Sequence, residues 1–344
     1  MPVTTGVWHY AMPVMNPSTH VAVIGAGLAG LSCATLLKES GVTVSVFEKS
    51  QGPAGRMSTR RGENWQCDHG AQYFTARQPD FCTEVARWQH AGRVQLWTPR
   101  LHVLGGLSTH DLRAGVERFV GTPGMDAPAL FMAETLTVIT GATIQELQHR
   151  RAGWHLLPAG GTWLAQCFDA VLLAVPAPQA VPLLKAHAPG LAALAGGARM
   201  HGCWALMLRF DASVDLPFDA AFVNAGPLRW IARDNSKPGR GRHATWLLHA
   251  SPDWSEAHLE HDAESVGPAL LDAFRQLGGP TPQQWSGHRW RYAHTEPPLD
   301  TGSAWDAGAA LGVCGDWLNG GKVEGAWMSG RELAQRVLHW LAAR

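Results

Sequence analysis

The spacing of apolar positions changes period along the chain, and each change marks an element. Residues 20–24 (HVAVI) form a short apolar run that ends at Gly25. Leu31, Ala34, Leu36 and Leu37 then recur at helical spacing until Gly41. Residues 42–47 (VTVSVF) alternate, are rich in β-branched side chains and end at Glu48. The opening therefore predicts strand, turn, helix and strand. Further on, helices are predicted over 79–91 and 124–134, and strands over 142–148, 153–158 and 167–175, the last stopped by AVPAP. A long strand is expected over 199–210, shorter ones over 228–233 and 244–250, and another over 285–293. Residues 255–277 read as one amphipathic helix with Ser255 as its N-cap and Gly278 as its stop. A short buried strand at 311–314 and a helix over 325–342 complete the pattern. The turn-rich stretch 234–241 (DNSKPGRG) reads as a surface loop. Strands and helices in this order predict an α/β fold.

Composition narrows the function. At 344 residues the chain exceeds what one core comfortably serves, so two domains are expected. Lys plus Arg and Asp plus Glu both number 28, and this balance argues against a nucleic-acid partner. No run of apolar residues is long enough to span a membrane. The six cysteines are scattered without a CxxC, which suits reduced thiols in the cytoplasm and neither a disulfide framework nor a zinc site. His258 and His261 are three apart, but no third ligand is in view, so no metal is expected. Residues 1–19 lack a basic start and are broken by prolines, so they do not read as a signal peptide. They are expected to be a disordered or loosely docked extension, and Met12 and Met15 stand just before the first strand. Sixteen Trp against three Tyr is unusual, and aromatic walls suit planar ligands.

The strongest chemical signal is Gly25-Ala26-Gly27-Leu28-Ala29-Gly30, a GxGxxG between a strand and a helix. Gly25 makes the tight turn, Gly27 lets a pyrophosphate approach the backbone, and Gly30 lets helix pack on strand. The helix N-terminus, with Leu28 and Ala29 in its first turn, offers free N–H groups to the anion. Glu48, 18 residues past Gly30, can accept hydrogen bonds from both ribose hydroxyls and would repel a 2′-phosphate. These features leave NAD and FAD equally open. Only one such fingerprint exists, since Gly105-Gly106 fits no strand–helix unit.

Residues farther along carry a resemblance. Gly52-Pro-Ala-Gly55-Arg56-Met57-Ser58-Thr59, Asp68-His69-Gly70-Ala71-Gln72-Tyr73-Phe74-Thr75, and Val313-Cys314-Gly315-Asp316 followed by VEGAWMSG at 323–330 together resemble the FAD-dependent amine-oxidase superfamily. GRMSTRR, DHGAQYFTAR, VGTPGM, AVPAPQA, LRWIARDNSKP and WLLHA are similar, more closely, to the bacterial renalases. The resemblance covers about 20–343. It implies a Rossmann-like FAD-binding domain of the glutathione-reductase type, built from 20–75, 121–190 and 300–344, and a mixed-sheet α+β substrate domain built from 76–120 and 191–299. It implies non-covalent FAD held by the fingerprint glycines and Glu48, with Lys49 beside the adenosine and Val138 meeting adenine. Gly55, Arg56 and Met57 would lie at the pyrophosphate or flavin edge, Arg56 as a forked cation. Gly315 and Asp316 would meet the ribityl chain. Glu324, Gly325 and Ala326 open the last helix, whose positive end would face the flavin N1–C2=O region. One departure shows: related oxidases often carry GGR where this chain has Ala54-Gly55-Arg56, a change of little cost unless that residue needs a positive φ.

For the substrate pocket the candidates are Gln72, Tyr73, Trp204, Trp230, His249, Arg289 and Trp290. The resemblance implies that Tyr73, Trp230, His249 and the strand 288–292 line the pocket, while Trp204 and Trp230 suit core positions as well. His249, between Leu248 and Ala250, suits a satisfied buried histidine as well as a ligand contact. The resemblance implies oxidation of 2- or 6-dihydronicotinamide isomers of NAD(P)H, with hydride passing to flavin N5, NAD(P)+ leaving and O2 reduced to hydrogen peroxide. A flavin amine oxidase or desaturase of another small substrate, and an FAD-dependent isomerase, stay open beside it.

Overall fold

The computed structural model describes residues 19–106 and 115–344. The expectation for the amino-terminal extension falls on residues 1–18, outside the described part.

Two six-stranded sheets organise the molecule. In the first, the strands run in the order Ala304–Asp306, Leu311–Val313, Ala170–Leu173, His20–Ile24, Thr43–Phe47, Thr137–Ile139. All neighbours are parallel except the Ala304–Asp306 edge. The central strands are continuous apolar runs because both faces are covered. On one face lie the helix Leu28–Glu39 and the final helix Val323–Ala342. They cross so closely that a Cβ on Gly330 would sit 2.1 Å from the Ala29 carbonyl oxygen. The helix Pro79–His90 joins the same core through Phe81, Val85 and Trp88, with the Phe81 ring 5.5 Å from that of Trp327. On the other face lie the hairpin Ile144–Arg150/Gly153–Pro158 and the helices Ala177–Leu184 and Pro189–Gly196.

The second sheet runs Gln284–Thr295, Met200–Phe210, Ala244–Ala250, Leu228–Arg233, Ala220–Val223, Leu101–Leu104, antiparallel except for its last pair. Its two-residue alternation decides which side chains can meet a ligand. Trp204, Leu206 and Leu208, with Trp246, Leu248 and Ala250, face the helix Ala263–Gln276 and form one core. Ala205, Met207 and Leu247 face the opposite way, and Cys203 and His249 continue that second face to a large cavity.

Three expectations are corrected. The helix expected over 255–277 is two helices, Pro252–Ala257 and Ala263–Gln276. Asp262 starts the second, its side chain accepting from the Ser265 amide at 2.8 Å. Ser255 is not an N-cap; it is fully buried in the first helix, and its hydroxyl accepts from the Trp204 amide. Second, AVPAP does more than stop a strand. Pro178 falls in the first turn of the helix Ala177–Leu184, where a missing N–H costs nothing. Third, 234–241 is not a surface loop: the side chains of Asp234, Lys237 and Arg240 are at most 1% exposed. Lys237 and Arg240 fold inward because Asp68, 0% exposed, and Asp234 supply the opposite charge that makes their burial tolerable.

Candidate active site

One cavity of about 1850 Å3 runs between the sheets, larger than the ~300–1,000 Å3 of an ordinary small-ligand site. At one end its wall is the first strand–helix turn. Gly25 takes φ +105°, and a Cβ there would lie 2.5 Å from the Ala174 carbonyl oxygen. Gly30 packs the helix onto the strand, since a Cβ would lie 2.0 Å from the Gly25 oxygen. Gly27 is different: a Cβ on it would meet nothing within 4 Å. The room it leaves opens into the cavity, which Gly25, Gly27, Leu28 and Ala29 line while Gly30 stays behind. The helix Leu28–Glu39 has no side-chain cap, so its N-terminal amides are available to an anion.

Glu48 and Lys49 line the wall beside this turn. The Glu48 carboxylate is 5% exposed and accepts from the Ala26 and Ser50 amides, both at 2.8 Å. Val138 lies off the wall; Ala142, Thr143 and Ile144 line that end instead. Gly55, Arg56 and Met57 form a short 3-10 turn on the wall. Arg56 forks onto Asp316 at 3.0 and 2.5 Å and also donates to the Ala293 carbonyl. Gly315, Asp316, Glu324 and Ala326 line the cavity, and Gly325 does not. Gly325 fits under Asn319, whose carbonyl oxygen would lie 1.7 Å from a Cβ. The final helix, like the first, begins without a side-chain cap. Two open helix N-termini and the space at Gly27 fit the diphosphate and the electron-rich ring of a flavin dinucleotide.

Ala54 reveals the cost that GGR would avoid. Its φ is +99°, a region L side chains rarely adopt, in a residue 1% exposed and paired to Gly27 across a β-bridge.

The opposite end of the cavity is aromatic and imidazole-rich. Tyr73, Arg289, Trp290 and His249 line it together with His69, His288 and Cys203. Gln72 and Trp230 are not on the wall. Gln72 is 7% exposed and donates to the Asp68 and Gly70 carbonyls at 2.6 and 3.1 Å. Trp230 backs Tyr73 with ring centroids 5.8 Å apart. Trp204 lies on the other sheet face and donates to the His258 carbonyl. Arg289 is tied to the Leu259 and His261 carbonyls at 2.7 and 3.1 Å.

Sequence reasoning missed His69, and it reached His288 only as part of the strand 288–292. The His69 ring stacks on Trp290 at 5.0 Å and meets His288 edge-on at 4.7 Å. Burial, with His288 and Arg60 nearby, pushes the His69 imidazole down to about 3. Burial pushes His249 to about 4, against a hydrogen bond to the His69 carbonyl that favours its charge. Burial and Arg60 bring His288 to about 4. All three are neutral near pH 7. Their only early signal was the DHG tripeptide and an alternation that puts His288 and Trp290 on one strand face.

A buried ionic group stands behind this wall. Lys237 Nζ donates to Asp68 (3.0 Å), Asp234 (3.0 Å) and Gln72 (3.2 Å), using all three of its protons. Arg240 donates to Asp68 at 2.5 Å. Burial alone would raise the Asp68 carboxyl, but Lys237 and Arg240 overcome it and hold it well below the usual carboxylate range. Burial alone would lower Lys237, and Asp234 and Asp68 together raise it instead.

Comparison with known proteins agrees with this layout. Residues 23–85 match the NAD(P)-binding Rossmann-like domain, and residues 90–338 match the flavin containing amine oxidoreductase family. An L-amino-acid oxidase of Siganus canaliculatus is 42% identical over 62 residues, 17% of this chain and 12% of the relative. A zeta-carotene-forming phytoene desaturase of Myxococcus xanthus is 37% identical over 59 residues, 17% of this chain and 11% of the relative. These matched stretches are a small part of either relative. Cyclohexylamine oxidase from Brevibacterium oxydans superposes with a TM-score of 0.69 at 13% identity, covering 96% of this chain and 100% of that one. Putrescine oxidase bound to putrescine superposes with a TM-score of 0.66 at 14% identity, covering 95% and 99%. At such identities the likeness is one of fold. With a family match that spans most of its length, the chain belongs to the flavin-containing amine oxidoreductases and is an FAD-dependent oxidoreductase.

Proposed function

We propose that the protein is a renalase-like oxidase of 2- or 6-dihydronicotinamide dinucleotides, with non-covalent FAD held in the glutathione-reductase manner. FAD, when bound, takes two electrons from the substrate and passes them to dioxygen, which leaves as hydrogen peroxide. The observation that carries the reading is that no carboxylate on the described cavity wall is left unengaged. Its four acids are all engaged: Glu48 by the Ala26 and Ser50 amides, Asp126 by Arg61, Asp316 by Arg56, and Glu324 by the Arg77 and Gln78 amides. The imidazoles of His69, His249 and His288 are too weakly basic to hold a proton near pH 7, and burial lowers that of His294 as well. A dihydronicotinamide suits such a wall, because its product is an aromatic cation and no proton needs to be removed. Tyr73 and Trp290 would orient the flat ring, so that rate comes from placement rather than from acid–base work.

Charge favours the same donor over an amine. Arg77, Arg118 and Arg289 border the cavity, and Arg291 beside them is paired with Glu260. They attract the phosphates of a dinucleotide and oppose the entry of an ammonium. The test is steady-state dioxygen consumption with authentic 2- and 6-dihydro-NAD and with a panel of primary amines. The reading expects turnover with a dihydro isomer and formation of NAD+. Turnover with amines alone would replace it by the amine-oxidase reading. Turnover without dioxygen uptake would point to an isomerase.

A further inference from the structure

We infer that His249 is a specificity-determining residue, its Nδ1 accepting a hydrogen bond from the carboxamide N–H of a nicotinamide-type ring. The choice of ring rests on the dihydronicotinamide reading above.

The argument begins with the other nitrogen. His249 Nε2 lies 3.1 Å from the His69 carbonyl oxygen. A carbonyl only accepts, so Nε2 carries the proton and Nδ1 keeps its lone pair. That carbonyl is fixed. Trp290 Nε1 also donates to it at 2.8 Å. The residues on either side, Asp68 and Gln72, are both anchored by Lys237, whose side chain is 0% exposed. The tautomer is therefore set by a buried ionic group and not by the ligand. Burial keeps the ring uncharged near pH 7, so the lone pair persists.

Nδ1 has no hydrogen-bond partner among the described residues. It is also not sealed in, in contrast to His69 Nδ1, which is buried without a partner. His249 is half-buried, and the surface it retains faces the cavity. At His249 the cavity thus presents a neutral point that can only accept. Such a point recognises an N–H or O–H. The carboxamide –NH2 of a nicotinamide ring is such a donor and carries no charge. A carboxylate or an acetyl group in its place brings only lone pairs, which oppose that of Nδ1.

The test measures binding of nicotinamide, 3-acetylpyridine and nicotinate to the FAD-loaded protein by perturbation of the flavin absorbance. Acetyl and carboxamide have nearly the same shape, so their comparison isolates the N–H. The wild type is expected to bind nicotinamide about tenfold more tightly than 3-acetylpyridine. In His249→Phe and His249→Leu, checked for retained FAD, that ratio should fall to about one. Equal binding of the two rings by the wild type, an unchanged ratio in the variants, or no binding of nicotinamide would each overturn the assignment. Reduction of the flavin by dihydro isomers is scored separately. If the isomers fail while the tenfold preference and its loss in the variants hold, the proposed activity falls and the role of His249 stands.

Discussion

Arg56 and Asp316 are 260 residues apart in sequence and meet in a two-pronged ion pair, at 3.0 and 2.5 Å, on the cavity wall. The pair ties the turn after the first two strands to the turn that follows the strand Leu311–Val313. Asp316 is 6% exposed, so removing its partner leaves a carboxylate with little water. Arg56→Met and Asp316→Asn should each weaken FAD binding by about 1.4–2.8 kcal/mol, roughly ten- to a hundredfold. The flavin-to-protein ratio after gel filtration reads this directly. Full retention of FAD by both variants would show that the pair does not shape the site.

Ala54 makes an opposite prediction. Its φ of +99° strains an L residue, by about 1–3 kcal/mol for such positions. Ala54→Gly removes the strain and adds unfolded-state entropy, about 0.4–1 kcal/mol in the other direction. The net should be a gain of about 1 kcal/mol and a rise of about 2 °C in Tm. A fall in Tm would mean that the methyl group contributes packing which outweighs the strain.

Three of the cavity imidazoles, His69, His249 and His288, predict acid sensitivity. Each is lowered in the folded protein, to about 3 for His69 and about 4 for His249 and His288, against 6.5 when unfolded. Below pH 6.5 the unfolded chain binds protons that the folded one refuses, so stability falls with falling pH. The loss continues until the folded values are reached, at up to about 1.4 kcal/mol per pH unit for each group. Thermal unfolding followed from pH 8 to pH 4 should be flat at first and then drop steeply below about pH 6.5. His249→Phe should shallow the drop. A Tm independent of pH over this range would contradict the assignment of neutral, buried rings.

Lys237 holds the wall from behind. Lys237→Met leaves Asp68 and Asp234 with Arg240 as their one remaining cation, and should cost about 3–5 kcal/mol. Asp234→Asn in the same chain should recover part of that loss by removing one carboxylate. Chemical denaturation of the two variants measures both effects. A single Lys237→Met variant as stable as the wild type would show that the quartet is not a structural anchor.

Much of this was readable in the sequence, and the gaps have physical causes. Gly25, Gly27 and Gly30 announced a strand–turn–helix because each solves a steric problem that no larger residue solves. The alternation in ATWLLHA already separated Trp246 and Leu248 from Leu247 and His249. What the sequence hid was long-range compensation. DNSKPGRG has the composition of a surface loop, and only the fold reveals that Asp68 waits for Lys237 and Arg240 in the interior. The break between Ala257 and Ala263 was masked because apolar spacing resumes in phase after it, although Asp262 followed by Ser265 offered a cap. Gln72 and Trp230 carried suitable chemistry, but their distance from the wall depends on how the two sheets meet.

Anaerobic titration of the purified yellow protein, with the flavin absorbance as the readout, tests the central claim most directly. The account predicts that 2- or 6-dihydro-NAD bleaches the flavin stoichiometrically and releases NAD+, while cyclohexylamine, putrescine and L-amino acids leave it oxidised. Bleaching by any of those amines, with the dihydronicotinamides inert, would contradict it.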